Sequence, residues 1–131
     1  MAVMKARHMI AISTLVGIGL GAAAVKGIHA RAEPPVYYIS EIEVTNLDGY
    51  LKEYVSRADA NIKAYGGRTL AAGTKVASMD GEPPKSRVSV QVWDSIEKIQ
   101  AWRDSAEFKQ IRSLGQNYPK FRAFTVEGLP R

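Results

Sequence analysis

The sequence predicts an α+β domain in which one four-stranded antiparallel sheet is covered by helices on a single face. Four short runs are predicted to be strands, and the first and the third of them alternate with a period of two, which is typical of strands. Stretches with helical spacing of apolar residues follow the first and the third of these runs. The resulting order, β-α-β-β-α-β, is that of the split βαβ or ferredoxin-like sandwich.

The predicted elements are a strand at 36–44, a helix from Asn46 to Tyr65, a strand from Arg68 to about Val76, a turn at 79–86, a strand at 87–93, two helical segments between Asp94 and Leu114, a loop at 115–120 and a strand at 121–127. Asn46, Asp94-Ser95 and Asp104-Ser105 are good N-caps. Gly66-Gly67 is suited to end the first helix, because glycine accepts the left-handed conformation.

Length and composition limit the possible functions. The chain has 131 residues, enough for one domain, and no cysteine, so disulfides, thiolate metal sites and cysteine nucleophiles are excluded. The formal net charge is +5, but residues 1–32 hold four of the 18 basic residues and no acid. Residues 33–131 keep 14 basic residues against 13 acids, so nucleic acid is not an expected partner.

Residues 1–32 have the three parts of a secretory signal peptide. Lys5 and Arg7 form a positive start, residues 9–25 are uncharged and mostly apolar, and Ala30-Arg31-Ala32 matches an A-x-A cleavage site. We expect cleavage after Ala32, with cleavage after Ala30 or Ala24 as alternatives, and export to a bacterial periplasm or out of the cell. An uncleaved anchor, which would be the only membrane contact, and an ordinary helix stay open as alternatives, because the apolar run is shorter than the ~20 residues that span a bilayer.

The two histidines of the chain, His8 and His29, both lie in this leader. The expected mature domain, residues 33–131, therefore has neither histidine nor cysteine. It lacks the usual general base near neutral pH and the usual ligands of zinc and haem. We expect neither a metal nor a cofactor.

Helices on one face of the sheet leave its other face bare. On the third strand we expect the face with Val88, Val90 and Val92 to meet the helices and the face with Arg87, Ser89, Gln91 and Trp93 to be open. The residues expected on the open face of the whole sheet are Tyr37, Ile39, Glu41, Gln91, Trp93 and Thr125. This mixture is too apolar to stay in water, so we expect a homodimer.

Three segments carry a family resemblance: YYISEIEVTNLDGYLKEY, KAYGGRTLAAG and RVSVQVWDSIEKIQAWRDSAEFKQIR. Together they resemble the domain-of-unknown-function family numbered 1330, over roughly residues 36–128. Asn46-Leu47 departs from a more typical Asp-Pro at the helix start, which affects capping only. The resemblance implies the dimeric α+β barrel superfamily and a dimer. It implies no reaction and no catalytic residue.

A ligand would be expected on the barrel-facing, open side of the sheet, because binding sites favour concave, mostly apolar spaces. The candidates by strand position are Glu41, Arg68, Arg87, Gln91 and Trp93. Burial could raise the pKa of Glu41 and make it a base, and an arginine could hold an anionic or enolate-like ligand. The alternative is an ion pair at the subunit interface.

Three functions remain open at this point. The first is an exported protein that binds a small apolar or aromatic ligand in the dimer cleft. The second is a cofactor-free enzyme of the isomerase or monooxygenase type that uses Glu, Arg and Tyr side chains. The third is a purely structural homodimer. We expect Tyr50, Tyr54, Tyr65 and Trp102 to be core residues, the tyrosines with their hydroxyls at the rim.

Overall fold

The computed structural model describes residues 32–84, 87–114 and 119–130. The chain divides into the units Met1–Arg31 and Ala32–Arg131, and the fold below is that of the second unit. Residues 1–31 of the expected leader lie outside the described residues, and the expected cleavage after Ala32 stays a prediction. Within the part of the chain that is described, no helix is long and apolar enough to cross a membrane.

The elements follow in the order β1 (Val36–Val44), α1 (Leu47–Gly49), a π-helical segment (Tyr50–Val55), α2 (Ser56–Ala64), β2 (Arg68–Gly73), β3 (Arg87–Trp93), α3 (Ile96–Asp104), α4 (Ala106–Leu114) and β4 (Pro119–Glu127). The α+β class and the order of elements are confirmed. Two boundaries differ from the prediction, since β2 ends at Gly73 and β4 begins at Pro119. The helix between β1 and β2 is continuous, but its middle is π-helical.

The predicted caps form as hydrogen bonds. The side-chain oxygens of Asn46 and Ser95 accept from the backbone N–H three residues on, at 3.0 and 3.3 Å. Ser105 accepts in the same way at 3.1 Å and separates α3 from α4. Gly66 adopts a φ of +91°, which is the left-handed region that glycine tolerates. Each of these ends is therefore set by local sequence.

The sheet has the strand order β2-β3-β1-β4 and is antiparallel throughout. Residues that pair directly across antiparallel strands lie on the same face. Tyr38 pairs with Gln91 and with Thr125, and Ile39 pairs with Val90. Tyr38 is buried towards the helices, so its partners face the helices and Val90 does not.

The expected faces of β3 and β4 were therefore wrong. Gln91, Trp93 and Thr125 lie on the helix-facing side, whereas the valines of β3 lie on the open side. The expectation for β1 is confirmed. Trp93, 1 % exposed, packs 5.0 Å from the Trp102 ring of α3. A buried indole removes more apolar surface from water than a valine does, which explains why this face turns inwards.

The open face of the sheet is more apolar than expected. Its residues are Tyr37, Ile39, Glu41, Arg68, Val88, Val90, Val92, Arg122, Phe124 and Val126. Phe124 and Val126 are 44 % and 50 % exposed. No helix of the described residues covers this side.

The helix-facing side holds two separate core clusters. The first consists of Val36, Tyr38, Ile62, Trp93, Ile99 and Trp102. The second consists of Ile42, Tyr50, Tyr54 and Ile111. On β1 the two clusters are separated by Ser40, and the candidate site lies at this gap.

Candidate functional site

A row of small side chains crosses the helix-facing side of the sheet between the two core clusters. Ala72, Ser89, Ser40 and Ala123 occupy directly paired positions on the four strands. Small side chains at these positions cannot fill the space between sheet and helices at the density of a packed core. A cavity of about 300 Å³ lies there, and Ala72, Ser89 and Ser40 line it.

The π-helical segment forms the wall opposite the sheet. Tyr50, Leu51, Tyr54 and Val55 from this segment all line the cavity. A π-helical turn is rare and is frequently found at functional sites. Leu51 is 43 % exposed and Ala72 of the edge strand is exposed, so the mouth of the cavity lies between this segment and β2. The volume is at the lower end of the range of small-molecule sites.

One end of the cavity is cationic. Arg87 begins β3 and pairs with Ile42, which in turn pairs with Phe121 of β4. The Arg87 guanidinium lies 5.7 Å from the Tyr50 ring centroid. Arg112 of α4 lies 3.4 Å over the Phe121 ring. Both arginines line the cavity and are half-buried.

Two tyrosine hydroxyls at this end of the cavity have raised pKa values. Desolvation by burial, and then the neighbouring Tyr54, raise the pKa of Tyr50 to about 12, while Arg87 and Arg112 act to lower it. Burial likewise raises the pKa of Tyr54, against the charge and hydrogen bond of Arg112. The two rings stack with centroids 5.0 Å apart. At neutral pH both hydroxyls are therefore neutral and able to donate a hydrogen bond.

The other end of the cavity is aromatic and rigid. The Trp102 indole lines it and donates its Nε1–H to Oδ1 of Asn61 at 2.7 Å. Asn61 is 1 % exposed, and its Nδ2 has no hydrogen-bond partner among the described residues. The Tyr38 ring meets Trp102 edge-on, and its hydroxyl accepts from Arg103 at 2.6 Å. These contacts fix the position of the aromatic wall.

The structure divides the five predicted site residues between two faces. Arg87 and Gln91 line the cavity, and the Gln91 Oε1 accepts from Trp93 Nε1 at 3.0 Å. Trp93 lies in the core beside the cavity. Glu41 and Arg68 lie on the open face, where Glu41 pairs with Arg122 at 3.1 Å. The cavity is thus on the side opposite to the one expected, within one subunit.

Sequence reasoning missed the serines and one arginine. Ser40 and Ser89 each interrupt a strand of larger residues, a signal that marks a thin place in a core once both are placed on one face. Arg112 lies four residues after Phe108 and so on the same helix face. Tyr50 and Tyr54 were expected to be core residues, and both lie in the second core cluster. The pairing that brings these residues together is long-range.

Metal chemistry finds no support in the described residues, since no group of three or more His, Asp or Glu side chains there is placed to hold an ion. The carboxylate in the cavity lining is that of Asp59. It binds Lys63 at 2.7 Å and accepts a hydrogen bond from Thr69 at 3.4 Å.

Comparisons with known proteins agree with this fold. A family model described as "Domain of unknown function (DUF1330)" matches residues 35–129, which confirms the resemblance seen in the sequence. The chain is similar to the solved structure of RPA0582, a protein of unknown function from Rhodopseudomonas palustris. The identity is 13 % and the TM-score 0.59, over 76 % of this chain and 85 % of that one.

Two further solved structures are similar. SnoaB, a cofactor-independent oxygenase from Streptomyces nogalater, has 10 % identity and a TM-score of 0.55, over 75 % of this chain and 96 % of its own. HapK from Hahella chejuensis has 14 % identity and a TM-score of 0.52, over 72 % and 92 %. At these identities the likeness concerns the fold alone. A comparison with curated proteins finds no match.

Proposed function

The chain belongs to the DUF1330 family, and from that premise we propose that it binds a small apolar or aromatic molecule in the cavity between its helices and its sheet. The observation that carries this proposal is the row of small side chains. Ser40 and Ser89 stand between two well-packed clusters, and a chain selected for packing alone would fill such a gap with larger residues. The aromatic walls suit a flat ligand.

The test is a substitution that places a larger side chain in the cavity from its sheet side. Ser89→Leu adds an apolar side chain within the gap, and Val88→Leu, on the open face of the same strand, is the matched control. Native mass spectrometry of the protein purified from its own cells looks for a co-purifying small molecule. Titration with 2-naphthamide, a neutral aromatic probe, follows the tryptophan fluorescence of the chain, which comes from Trp93 and Trp102.

We expect the native chain and Val88→Leu to bind the probe and Ser89→Leu to lose it while keeping a cooperative unfolding transition. Absence of both a co-purifying molecule and probe binding in the native chain would reject the proposal. Equal binding by Ser89→Leu would place the site elsewhere. Absence of binding would favour the purely structural alternative.

A cofactor-free enzyme is the second candidate. SnoaB, of similar fold, is a cofactor-independent oxygenase, and the Tyr50–Arg87 end of the cavity could stabilise an oxyanion by hydrogen bonds and charge. Glu41 is on the opposite face and cannot serve this cavity as a base. The carboxylate left for that role is Asp59. Once a ligand is identified, Asp59→Asn should abolish its turnover and spare its binding if the protein is an enzyme.

A second copy of the chain is the partner we propose for the open face. This face combines an apolar centre with charges of both signs, Glu41 against Arg68 and Arg122, so it can complement itself about a two-fold axis. Its charged residues lie beside the apolar ones on the outer pairs of strands. The sheets of two subunits would then pack face to face, leaving one ligand cavity in each subunit.

Export is a further part of the proposal. It rests on the composition of residues 1–32 and on the neutral balance of residues 33–131. An intact-mass measurement of the protein from its own cells tests it. A chain that begins at Glu33 in a cell-envelope fraction is expected, and a full-length chain in the cytosol would contradict it.

A further inference from the structure

The charges that line the cavity do not balance. The charged residues of the lining are Arg87, Arg112 and Asp59. Asp59 forms an ion pair with Lys63, outside the lining, at 2.7 Å. The cavity is therefore left with two guanidinium charges and with a carboxylate that already has a cation.

Neither arginine forms an ion pair with a carboxylate of the described residues. Within the described ranges 32–84, 87–114 and 119–130, the ion pairs involve four other cations, and Arg87 and Arg112 are not among them. Both contact aromatic rings instead, Tyr50 and Phe121. By contrast, Arg122 on the open face does pair with a carboxylate, that of Glu41. Partial burial removes part of the water around the Arg87 and Arg112 charges, so an anion placed between them would gain from both.

The two arginines converge on one place. Arg87 lies 5.7 Å from the Tyr50 ring centroid, and Arg112 lies 3.4 Å over Phe121. The Tyr54 ring joins these two contacts, because its centroid is 5.0 Å from that of Tyr50 and 5.8 Å from that of Phe121. Tyr50 and Tyr54 stack there and supply neutral hydroxyl donors. Guanidinium groups bind planar oxyanions through parallel N–H donors, more strongly than neutral donors do.

We propose that the ligand is an aromatic anion, with a carboxylate or an ionised enol or phenol group at the Arg87–Arg112 end and its ring system against Trp102. This inference rests on the proposed function of the cavity and specifies its ligand class. The anion supplies the missing counter-charge, and the ring occupies the space above Ser40 and Ser89. Neutral and cationic aromatic molecules of the same shape bind less well.

The test compares two probes of one shape, 2-naphthoate and 2-naphthamide, with the full chain by isothermal titration calorimetry. We expect the anion to bind ~10-fold or more tightly than the amide, as charge-assisted hydrogen bonds allow. Arg87→Met and Arg112→Met should each reduce naphthoate affinity by a larger factor than naphthamide affinity, so that the preference for the anion shrinks. Arg122→Met, on the open face, is the matched control and should change neither.

Arg87→Lys and Arg112→Lys cover the case in which a methionine variant does not fold, because they keep the charge and should keep part of the preference. Equal affinity for both probes overturns the anion assignment and leaves the cavity proposal standing. A preference that survives both methionine variants, or that falls with Arg122→Met, also overturns it. Binding of neither probe rejects the cavity proposal and this inference together.

Discussion

The two faces of β3 differ in a way that composition alone would assign in reverse. Val88, Val90 and Val92 lie on the open side, and Ser89, Gln91 and Trp93 lie buried towards the helices. The buried side accepts polar residues because they are paired or line a cavity, as Gln91 does with Trp93 at 3.0 Å. The apolar row on the outside is the surface of the proposed subunit contact, and the row on the inside borders the proposed ligand site.

The largest expected effect is a difference in stability between substitutions on the two faces of β3. Trp93→Ala removes the largest side chain of the helix-facing core and should lower the free energy of unfolding by about 3–5 kcal/mol. Val92→Ala, its neighbour on the open face, should cost about 1 kcal/mol. Urea unfolding at one fixed protein concentration measures both. Equal losses would show that the open face is packed as tightly as the inner one.

The subunit contact should be lost when the open face carries an added charge. Val90→Lys places a cation at the centre of the apolar face and should weaken the proposed dimer by about 100-fold or more, because the charge would be buried without a partner. Sedimentation at micromolar concentration should show a dimer for the native chain and a monomer for the variant.

Gln100→Lys adds the same charge on the exposed surface of α3 and serves as the control for Val90→Lys. It should leave the dimer unchanged. A native chain that sediments as a monomer would contradict the proposed assembly, whatever the variants do.

Alkaline pH should affect the inner face through its tyrosines. Folding raises the pKa of Tyr50 from 10.0 to about 12, so the folded chain holds this proton more tightly than the unfolded chain. The contribution is complete below the unfolded pKa and is lost as pH rises through the folded pKa. It amounts to about 2–3 kcal/mol from Tyr50. Urea midpoints between neutral pH and pH 12 measure it.

Tyr50→Phe keeps the ring and removes the titrating group, so its stability should fall less steeply over the same pH range. Tyr54, whose pKa is raised in the same direction, should account for part of what remains. Superimposable pH profiles of the native chain and Tyr50→Phe would show that Tyr50 is not desolvated as described.

The smallest effect tests how closely the helix end packs on the inner face. A Cβ added at Gly67 would lie 2.5 Å from Cζ2 of Trp93 and 2.8 Å from Cγ2 of Ile62. Gly67→Ala should therefore cost about 1–3 kcal/mol through overpacking. Gly73→Ala, whose added Cβ meets nothing closer than 4.0 Å, is the control. Thermal unfolding compares the two, and an unchanged Gly67→Ala would refute the close contact.

Much of the fold follows from local sequence. The caps at Asn46, Ser95 and Ser105 and the glycine at 66 set the helix ends through contacts within a few residues. The order of elements follows from periodicity, and from it the sheet topology. The ends of the strands were predicted less accurately than the ends of the helices, because a strand ends where its pairing partner ends. The strand β2, for example, ends at Gly73 and not near Val76.

The candidate site was predicted only in part. Arg87 and Gln91 were selected and do line the cavity, but on the face opposite to the one expected. Glu41 and Arg68 were selected for the open face and lie there, away from the cavity. Arg112 was not selected, because a basic residue late in a helix is ordinarily explained by the helix dipole and solvent.

The sequence by itself determined which reactive side chains are present, since it has no cysteine and its histidines lie within residues 1–32. It also determined the identity and order of the secondary-structure elements. Only the tertiary structure decided which face of β3 is buried, because a period of two specifies alternation and not direction. The register Ser40↔Ser89 and the stacking of Trp93 on Trp102 join residues far apart in sequence. The cavity and its two arginines exist through those long-range contacts.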